Sequence, residues 1–409
     1  MKIPNKEYEK KWFENTLNEL KKKPFYCPFP FRYVYGEESG EWKLCSEAYV
    51  SGHSSNDTSL YDWFTSDYIN SIRDEMLSDN PDFEKLMHCY RCIKAEEDSG
   101  NSTRTELNID KETVYNTYAY QKAGEYLFLN RPLVLQMRMF NNNDVCNLGC
   151  YMCFPKFSSK RKVDLNKTRA YDFIDRFNPN DPKNVPTEIR ETSSMDEIVE
   201  LIDCINTIEI IGGEPLYIKE SYDFIEKLIK RADTSKTRLT IFTNLSVIEN
   251  KHRNFLNFAK YFKKITFKIS CDGFGKYNEY IRKGSDWEKL KANIIAVRNS
   301  PNCDMFIWSV ISNLSILRFE LLEEWTRQEN IHHEFNILRD PEELSIIHLP
   351  DKLKNELIKR FSHHPRIVNT LKAPRDESKF QKAINYINEL DSIYPTKLLD
   401  VFPEFEEFL

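Results

Sequence analysis

Cys146, Cys150 and Cys153 fall within the ten residues Cys146-Asn147-Leu148-Gly149-Cys150-Tyr151-Met152-Cys153-Phe154-Pro155. This C-x3-C-x2-C spacing constrains the chain more than any other stretch, because it puts three sulfurs on one tight loop, a metal-ligand pattern. A structural zinc site needs one more ligand, a His or Cys from elsewhere. A [4Fe–4S] cube on the same three thiolates keeps one iron without a protein ligand. An open metal position is where chemistry happens rather than scaffolding.

The pattern around that loop sets the fold class. From about residue 131, strand and helix signals alternate. Strands are expected at 133–139, 208–211, 238–243, 265–270, 305–311 and 334–338, and helices at about 218–232, 250–262, 275–297 and 315–329. Such alternation predicts a parallel sheet with helices outside it. Six strands with right-handed crossovers form an open sheet or part of a barrel, and both bind ligands at the carboxyl ends of the strands. The cysteine loop follows the first strand through Asn141-Asn142-Asn143-Asp144, so it lies at that end. The second strand, Ile208-Glu209-Ile210-Ile211, runs into Gly212-Gly213-Glu214-Pro215. Two glycines let a ligand come close to the backbone, Glu214 is an acceptor suited to an ammonium group, and Pro215 opens the next helix.

A strand, a C-x3-C-x2-C loop, a second strand and Gly-Gly-Glu-Pro together resemble the radical S-adenosylmethionine (SAM) superfamily. The resemblance covers about residues 131–340. It implies a partial (β/α)6 TIM-like barrel, a catalytic [4Fe–4S] cluster on Cys146, Cys150 and Cys153, and SAM chelated by the open iron. In that family one electron from the reduced cube yields a 5′-deoxyadenosyl radical, which takes a hydrogen atom from a substrate C–H bond. The resemblance assigns Gly212, Gly213 and Glu214 to the SAM amino group. Thr243-Asn244-Leu245 stands where the family commonly has Thr-Asn-Gly, so Asn244 is an implied cofactor contact and Leu245 a departure. Ser270-Cys271-Asp272-Gly273 resembles the family's Ser-x-Asp-Gly, with Ser270 and Asp272 facing the ligand. Arg282 matches an arginine often aimed at the SAM carboxylate or ribose. Met152 takes a position that is usually aromatic in the superfamily; Met occurs there in one phage and bacterial branch.

A second cysteine set precedes the barrel. Cys27, Gly40 and Cys45 read C-x12-G-x4-C, followed by Cys89-Tyr90-Arg91-Cys92. A hairpin turning at Gly40 presents one thiolate on each strand, and the Cys-x2-Cys pair closes the site. This resembles the opening of the SPASM/twitch auxiliary-cluster module, here before the barrel rather than after it. The resemblance implies a second, auxiliary [4Fe–4S] cluster on Cys27, Cys45, Cys89 and Cys92. A four-cysteine zinc ribbon shares the same features.

The expected organisation is a twitch-like α+β domain over 1–125, the α/β barrel over 126–340 and a C-terminal helical segment over 341–409. Smaller expectations are a polar helix over 6–23, a helix over 59–77, a polar linker over 99–112, and a lid or disordered insertion over 157–195. Cys204 and Cys303 read as buried small hydrophobes. Cys271 lies beside Ser270 and Asp272, where a thiol can return hydrogen to a substrate radical, but strand alternation turns it away from them. The doublets His332-His333 and His363-His364 lack metal spacing and read as surface or packing residues.

A net charge of −6, from 58 basic and 64 acidic residues, argues against a nucleic-acid partner. No run of about 18 apolar residues predicts a membrane span. With no signal-type apolar region near Met1, the ten cysteines fit metal ligands or buried thiols in a reducing cytoplasm. The expected substrate is a peptide or protein; a small molecule such as a sugar, nucleotide or amino acid is the alternative. An electron donor such as flavodoxin or ferredoxin is implied. A non-catalytic zinc-binding interaction protein remains the reading from a different class.

Overall fold

The computed structural model describes residues 23–36, 42–48, 59–100, 102–105, 134–138, 144–181 and 194–408. The expected helix over 6–23 except its last residue, the turn at Gly40, the linker beyond residue 105, Asn141 to Asn143, and residues 182–193 lie outside these.

Twelve strands are present among the described residues: β1 Tyr33–Gly36, β2 Trp42–Lys43, β3 Val134–Met137, β4 Gly149–Cys150, β5 Thr207–Ile210, β6 Arg238–Thr243, β7 Glu249–Asn250, β8 Arg253–Asn254, β9 Lys264–Ser270, β10 Arg282–Lys283, β11 Cys303–Ile311 and β12 His333–Ile337. Eight form one sheet in the order β12-β11-β9-β6-β5-β3-β1-β2. The run from β3 to β12 is parallel throughout, so the six expected strands make the partial barrel of an α/β fold.

Side-chain alternation explains the layers. β5, β6 and β9 bury every second residue and leave the others partly accessible. The buried set (Ile208, Ile210, Leu239, Ile241, Ile265, Phe267) forms one core with Ile225 and Leu228 of helix Lys219–Arg231 and Leu290 and Ile294 of helix Trp287–Arg298. The opposite face therefore turns into the barrel and carries Glu209, Phe242, Lys268 and Ser270. A second core joins Tyr151, Ile281 and Leu314 to Ile384, Tyr386 and Ile387 of helix Glu377–Asp391 in the C-terminal segment.

Four local expectations change. β1 pairs in parallel with β3, Tyr33 opposite Val134, so the N-terminal hairpin extends the barrel sheet. The helix over 59–77 is two helices, Leu60–Phe64 and Asp67–Leu77, because Ser66 caps the second by accepting from the Ile69 N–H. The helix over 275–297 breaks into Lys276–Ile281 and Trp287–Arg298, since Gly284 takes φ +96° and Asp286 caps the latter part. That over 250–262 is the β7–β8 hairpin followed by a 3-10 helix, Phe255–Tyr261.

The insertion over 157–195 is ordered as far as it is described. Ser158 caps helix Ser159–Thr168, and Leu165, Ala170, Ile174 and Phe177 are fully buried in the second core. Four buried apolar side chains anchor a segment whose polar composition concealed them.

Candidate active site

The cysteine loop is held from three sides. The Asp144 carbonyl accepts from the Ser159 N–H at 2.8 Å, and the Ser158 hydroxyl donates to the Leu148 carbonyl at 2.7 Å. β4, which contains Cys150, pairs antiparallel with β10, placing Arg282 opposite Cys150. Arg161, fully buried, donates from Nε to the Cys150 carbonyl at 2.9 Å. From the C-terminal segment, the Tyr386 hydroxyl donates to the Tyr151 carbonyl at 2.7 Å, and Asp391 accepts from the Tyr151 and Tyr280 hydroxyls. A Cβ at Gly149 would lie 2.6 Å from Asp164 Oδ2, so a larger residue there would displace that carboxylate.

The Gly-Gly-Glu-Pro turn docks against this loop through backbone. The Glu214 N–H donates to the Val145 carbonyl at 3.0 Å. A Cβ on Gly213 would meet that same carbonyl oxygen at 2.4 Å, so only glycine fits. The Glu214 carboxylate is buried. Oε1 accepts from the Thr243 hydroxyl (2.5 Å) and the Leu216 N–H (3.1 Å), and Oε2 from the Asn244 N–H (2.6 Å). A carboxylate has about four acceptor directions, so one on Oε2 stays open for an ammonium group. Burial pushes the Glu214 carboxyl up to about 7, against the pull of those three donors.

Asn244 follows β6 and reaches the cluster loop. Its Nδ2 lies 3.9 Å from Cys146 Sγ and donates to Asn147 Oδ1 at 3.2 Å. Leu245, where the family commonly has glycine, takes φ +50° and is fully buried. The left-handed turn is thus kept without glycine, and the buried side chain helps hold it.

Ser270 ends β9 on the face turned into the barrel, partly accessible. Asp272, the other residue expected to face the ligand, pairs with Arg282. It is fully buried; Oδ1 accepts from the Val310 N–H at 2.7 Å and Oδ2 pairs with Arg282 Nε at 2.8 Å. Arg282 in turn points Nη1 at Cys150 Sγ, 3.7 Å away. Burial opposes the Arg282 charge, but Asp272 and Cys150 more than offset this and hold the guanidinium above its usual range. Cys271 lies in the main core, its thiol donating to the Gly273 carbonyl at 3.3 Å, facing away from the site as alternation requires.

The three thiols fit an iron–sulfur cube. Burial pushes Cys146, Cys150 and Cys153 up, Cys153 to about 12, and Cys146 and Cys153 each also feel Cys150. Bare thiolates are therefore costly here, and a cationic cluster removes that cost. Among the described residues, only Glu323, His363 and His364 bring three ligand atoms within 4.8 Å of one another. The histidine doublet itself is tied to Glu323, His364 Nε2 lying 2.8 Å from its Oε1.

Cys27, Cys45, Cys89 and Cys92 line one pocket, with Leu44, His88 and Arg104 around it. Cys89 is the N-cap residue of helix Tyr90–Ser99 and Cys92 lies in its first turn, which explains the Cys-x2-Cys spacing: both thiols sit over a helix N-terminus. Burial raises all four thiols, and Cys27, Cys45 and Cys89 each also feel the neighbouring thiols. Four thiols in one pocket fit a closed metal centre.

Sequence reasoning missed Arg161, Thr243 and the Tyr151–Asp391 contact. Thr243 was visible at the end of its strand, whereas Arg161 and Asp391 carried no local signal.

No curated protein matches the chain. Among solved structures, it is similar to one titled "Native anSMEcpe with bound AdoMet", at 17% identity and a TM-score of 0.40, covering 57% of this chain and 60% of that one. Another, titled "Native anSMEcpe with bound AdoMet and Kp18Cys peptide", gives 16%, 0.39, 60% and 63%. A third, Streptococcus suis SuiB bound to S-adenosylmethionine, gives 14%, 0.32, 73% and 60%. The chain thus spans about three fifths of the length of the solved structures it matches. Residues 143–325, from just before the cysteine loop into helix Phe319–Gln328, match the model described as Radical SAM superfamily. That match supports the radical SAM superfamily for residues 143–325 of this chain.

Proposed function

We propose that the enzyme cleaves SAM reductively at a [4Fe–4S] cube held by Cys146, Cys150 and Cys153. When bound, the reduced cube supplies the electron that makes a 5′-deoxyadenosyl radical from SAM, and the radical takes hydrogen from a substrate C–H bond. The observation that carries this reading is the backbone docking of the Gly213–Glu214 turn onto Val145, beside Cys146. Gly212, Gly213 and Glu214 orient the SAM amino group, Glu214 through its open acceptor direction. Asn244 and Ser270 line the same end of the barrel. Arg282, held by Asp272, places positive charge beside Cys150.

Cys27, Cys45, Cys89 and Cys92 are proposed to hold an auxiliary [4Fe–4S] cluster, which relays an electron or binds substrate. The proposed substrate is a peptide or protein, because enzymes with the auxiliary-cluster module often modify peptides; a small molecule is the alternative. A flavodoxin or ferredoxin is the proposed electron donor. Among the described residues no helix is long and apolar enough to cross a membrane.

Reconstituted, reduced protein with SAM tests the reading. Release of 5′-deoxyadenosine, abolished by Cys150→Ala, supports it; no release from the wild type under strict anaerobic reduction refutes it. About eight irons per chain support two cubes; four irons and one zinc remove the auxiliary cluster.

A further inference from the structure

We propose that Glu323, His363 and His364 form a binding site for a divalent transition metal, zinc by its ligand set, which clasps the C-terminal segment to the barrel. Glu323 lies on helix Phe319–Gln328, whose Leu322 and Trp325 pack into the core of the sheet. The two histidines lie in the turn between helices Asp351–Arg360 and Pro365–Leu371. One ligand atom from each of the three residues lies within 4.8 Å of the other two. His364 Nε2 stands 2.8 Å from Glu323 Oε1, across 41 residues of sequence. The doublet shows no metal spacing of its own because its third ligand comes from another helix.

The turn fixes both rings. The His364 N–H donates to the Phe361 carbonyl at 2.8 Å, and the two imidazole centroids stand 4.3 Å apart. Phe361 packs beside both, 6.4 Å from His363 and 6.3 Å from His364, and Phe335 meets His364 edge-on at 5.6 Å. A hydrogen bond between His364 and Glu323 accounts for two of the three groups. It gives His363, which is exposed, no reason to bring a nitrogen to the same point. A shared cation does.

The charges suit that cation. Among the described residues no lysine or arginine pairs with Glu323, whose ion-pair partner is His364. Arg360, on the preceding helix, pairs with Glu320 and Glu356 instead. Burial holds His333, which lies near enough to His364 to feel its charge, down at about 4, so it is neutral at pH 7 and does not repel a metal ion. Two neutral imidazoles and one carboxylate are a zinc ligand set that leaves the fourth position to water. The set uses none of the ten cysteines. Its ion joins a barrel helix to the segment whose Tyr386 and Asp391 brace the cysteine loop.

Isothermal titration of the reconstituted, iron-loaded holoenzyme with Zn²⁺ alone tests this, followed by zinc K-edge X-ray absorption of the product. One zinc per chain is expected, ringed by nitrogen and oxygen at about 2.0–2.2 Å with no sulfur. His363→Ala and Glu323→Gln are each expected to weaken binding at least about tenfold, since even residues one layer beyond a metal's ligands cost that much. Glu323→Gln still accepts from His364, so its loss of zinc separates a ligand from a packing contact. No zinc binding, unchanged affinity in either variant, or a sulfur shell at about 2.3 Å overturns the site. A sulfur shell is also the mark of zinc held by Cys27, Cys45, Cys89 and Cys92, so the metal counts proposed above stay readable. The site stands or falls apart from the radical reading, because release of 5′-deoxyadenosine bears on neither Glu323 nor the histidine doublet.

Discussion

Arg282 touches both the cluster loop and its own counter-ion: Nη1 lies 3.7 Å from Cys150 Sγ while Nε faces Asp272 Oδ2 at 2.8 Å. A guanidinium this close to a ligating sulfur stabilises negative charge on that sulfur and on any cluster it holds. Arg282→Gln removes the positive charge, which makes adding an electron harder. The reduction potential of the Cys146/Cys150/Cys153 cube is therefore expected to fall, with Arg282→Lys in between. Redox titration followed by electron paramagnetic resonance checks the order; an unchanged potential in Arg282→Gln contradicts it.

Asp391 braces the loop from 240 residues away, accepting from Tyr151 and Tyr280 and lying 3.3 Å from Lys283 Nζ. All four side chains are buried. Asp391→Ala strands a lysine and two hydroxyls, so a loss of about 3 kcal/mol is expected, the cost of breaking a buried pair. Denaturant unfolding of the iron-free protein measures it. Asp391→Asn keeps an acceptor and is expected to lose less.

Gly213→Ala puts a methyl group into the Val145 carbonyl, where the gap to an ideal Cβ is 2.4 Å. Backbone on both sides must shift. A destabilisation of about 1–3 kcal/mol is expected from the overpacking, together with weaker SAM binding measured by equilibrium dialysis. Wild-type SAM affinity in this variant would show that the turn does not position SAM.

Glu214 titrates against folding. Its ordinary carboxyl pKa is about 4.3, and burial raises it in the fold to about 7. A group whose folded pKa is raised stabilises fully below the unfolded value, and its contribution is lost as pH climbs through the folded value. The iron-free protein is therefore expected to lose stability between about pH 4 and pH 7, and Glu214→Gln to flatten that slope. Unfolding free energies of both proteins across the window check the sign.

The strands were legible because apolar and β-branched residues alternate with polar or aromatic ones, as Leu239 and Ile241 do with Thr240 and Phe242; at 238–243 the expected and observed limits coincide. The cysteine loop and Gly212-Gly213-Glu214 were legible because their chemistry is written in consecutive residues. Arg161 and Asp391 were not. Each matters through partners distant in sequence, and a lone charge in a chain with 58 basic and 64 acidic residues carries no mark of burial. The joining of β1 to β3 was hidden for the same reason: a pairing across about 100 residues has no local pattern to announce it. Asp272 was legible as a motif, yet its role as the partner of Arg282 needed the fold.

The central claim is a cube with one iron free to take SAM. Mössbauer spectroscopy of the ⁵⁷Fe-reconstituted protein, with and without SAM, tests it most directly. The account predicts one iron site of the Cys146/Cys150/Cys153 cube whose signal shifts when SAM is added, while the others stay in place. A spectrum indifferent to SAM, or zinc in place of iron at that loop, contradicts it.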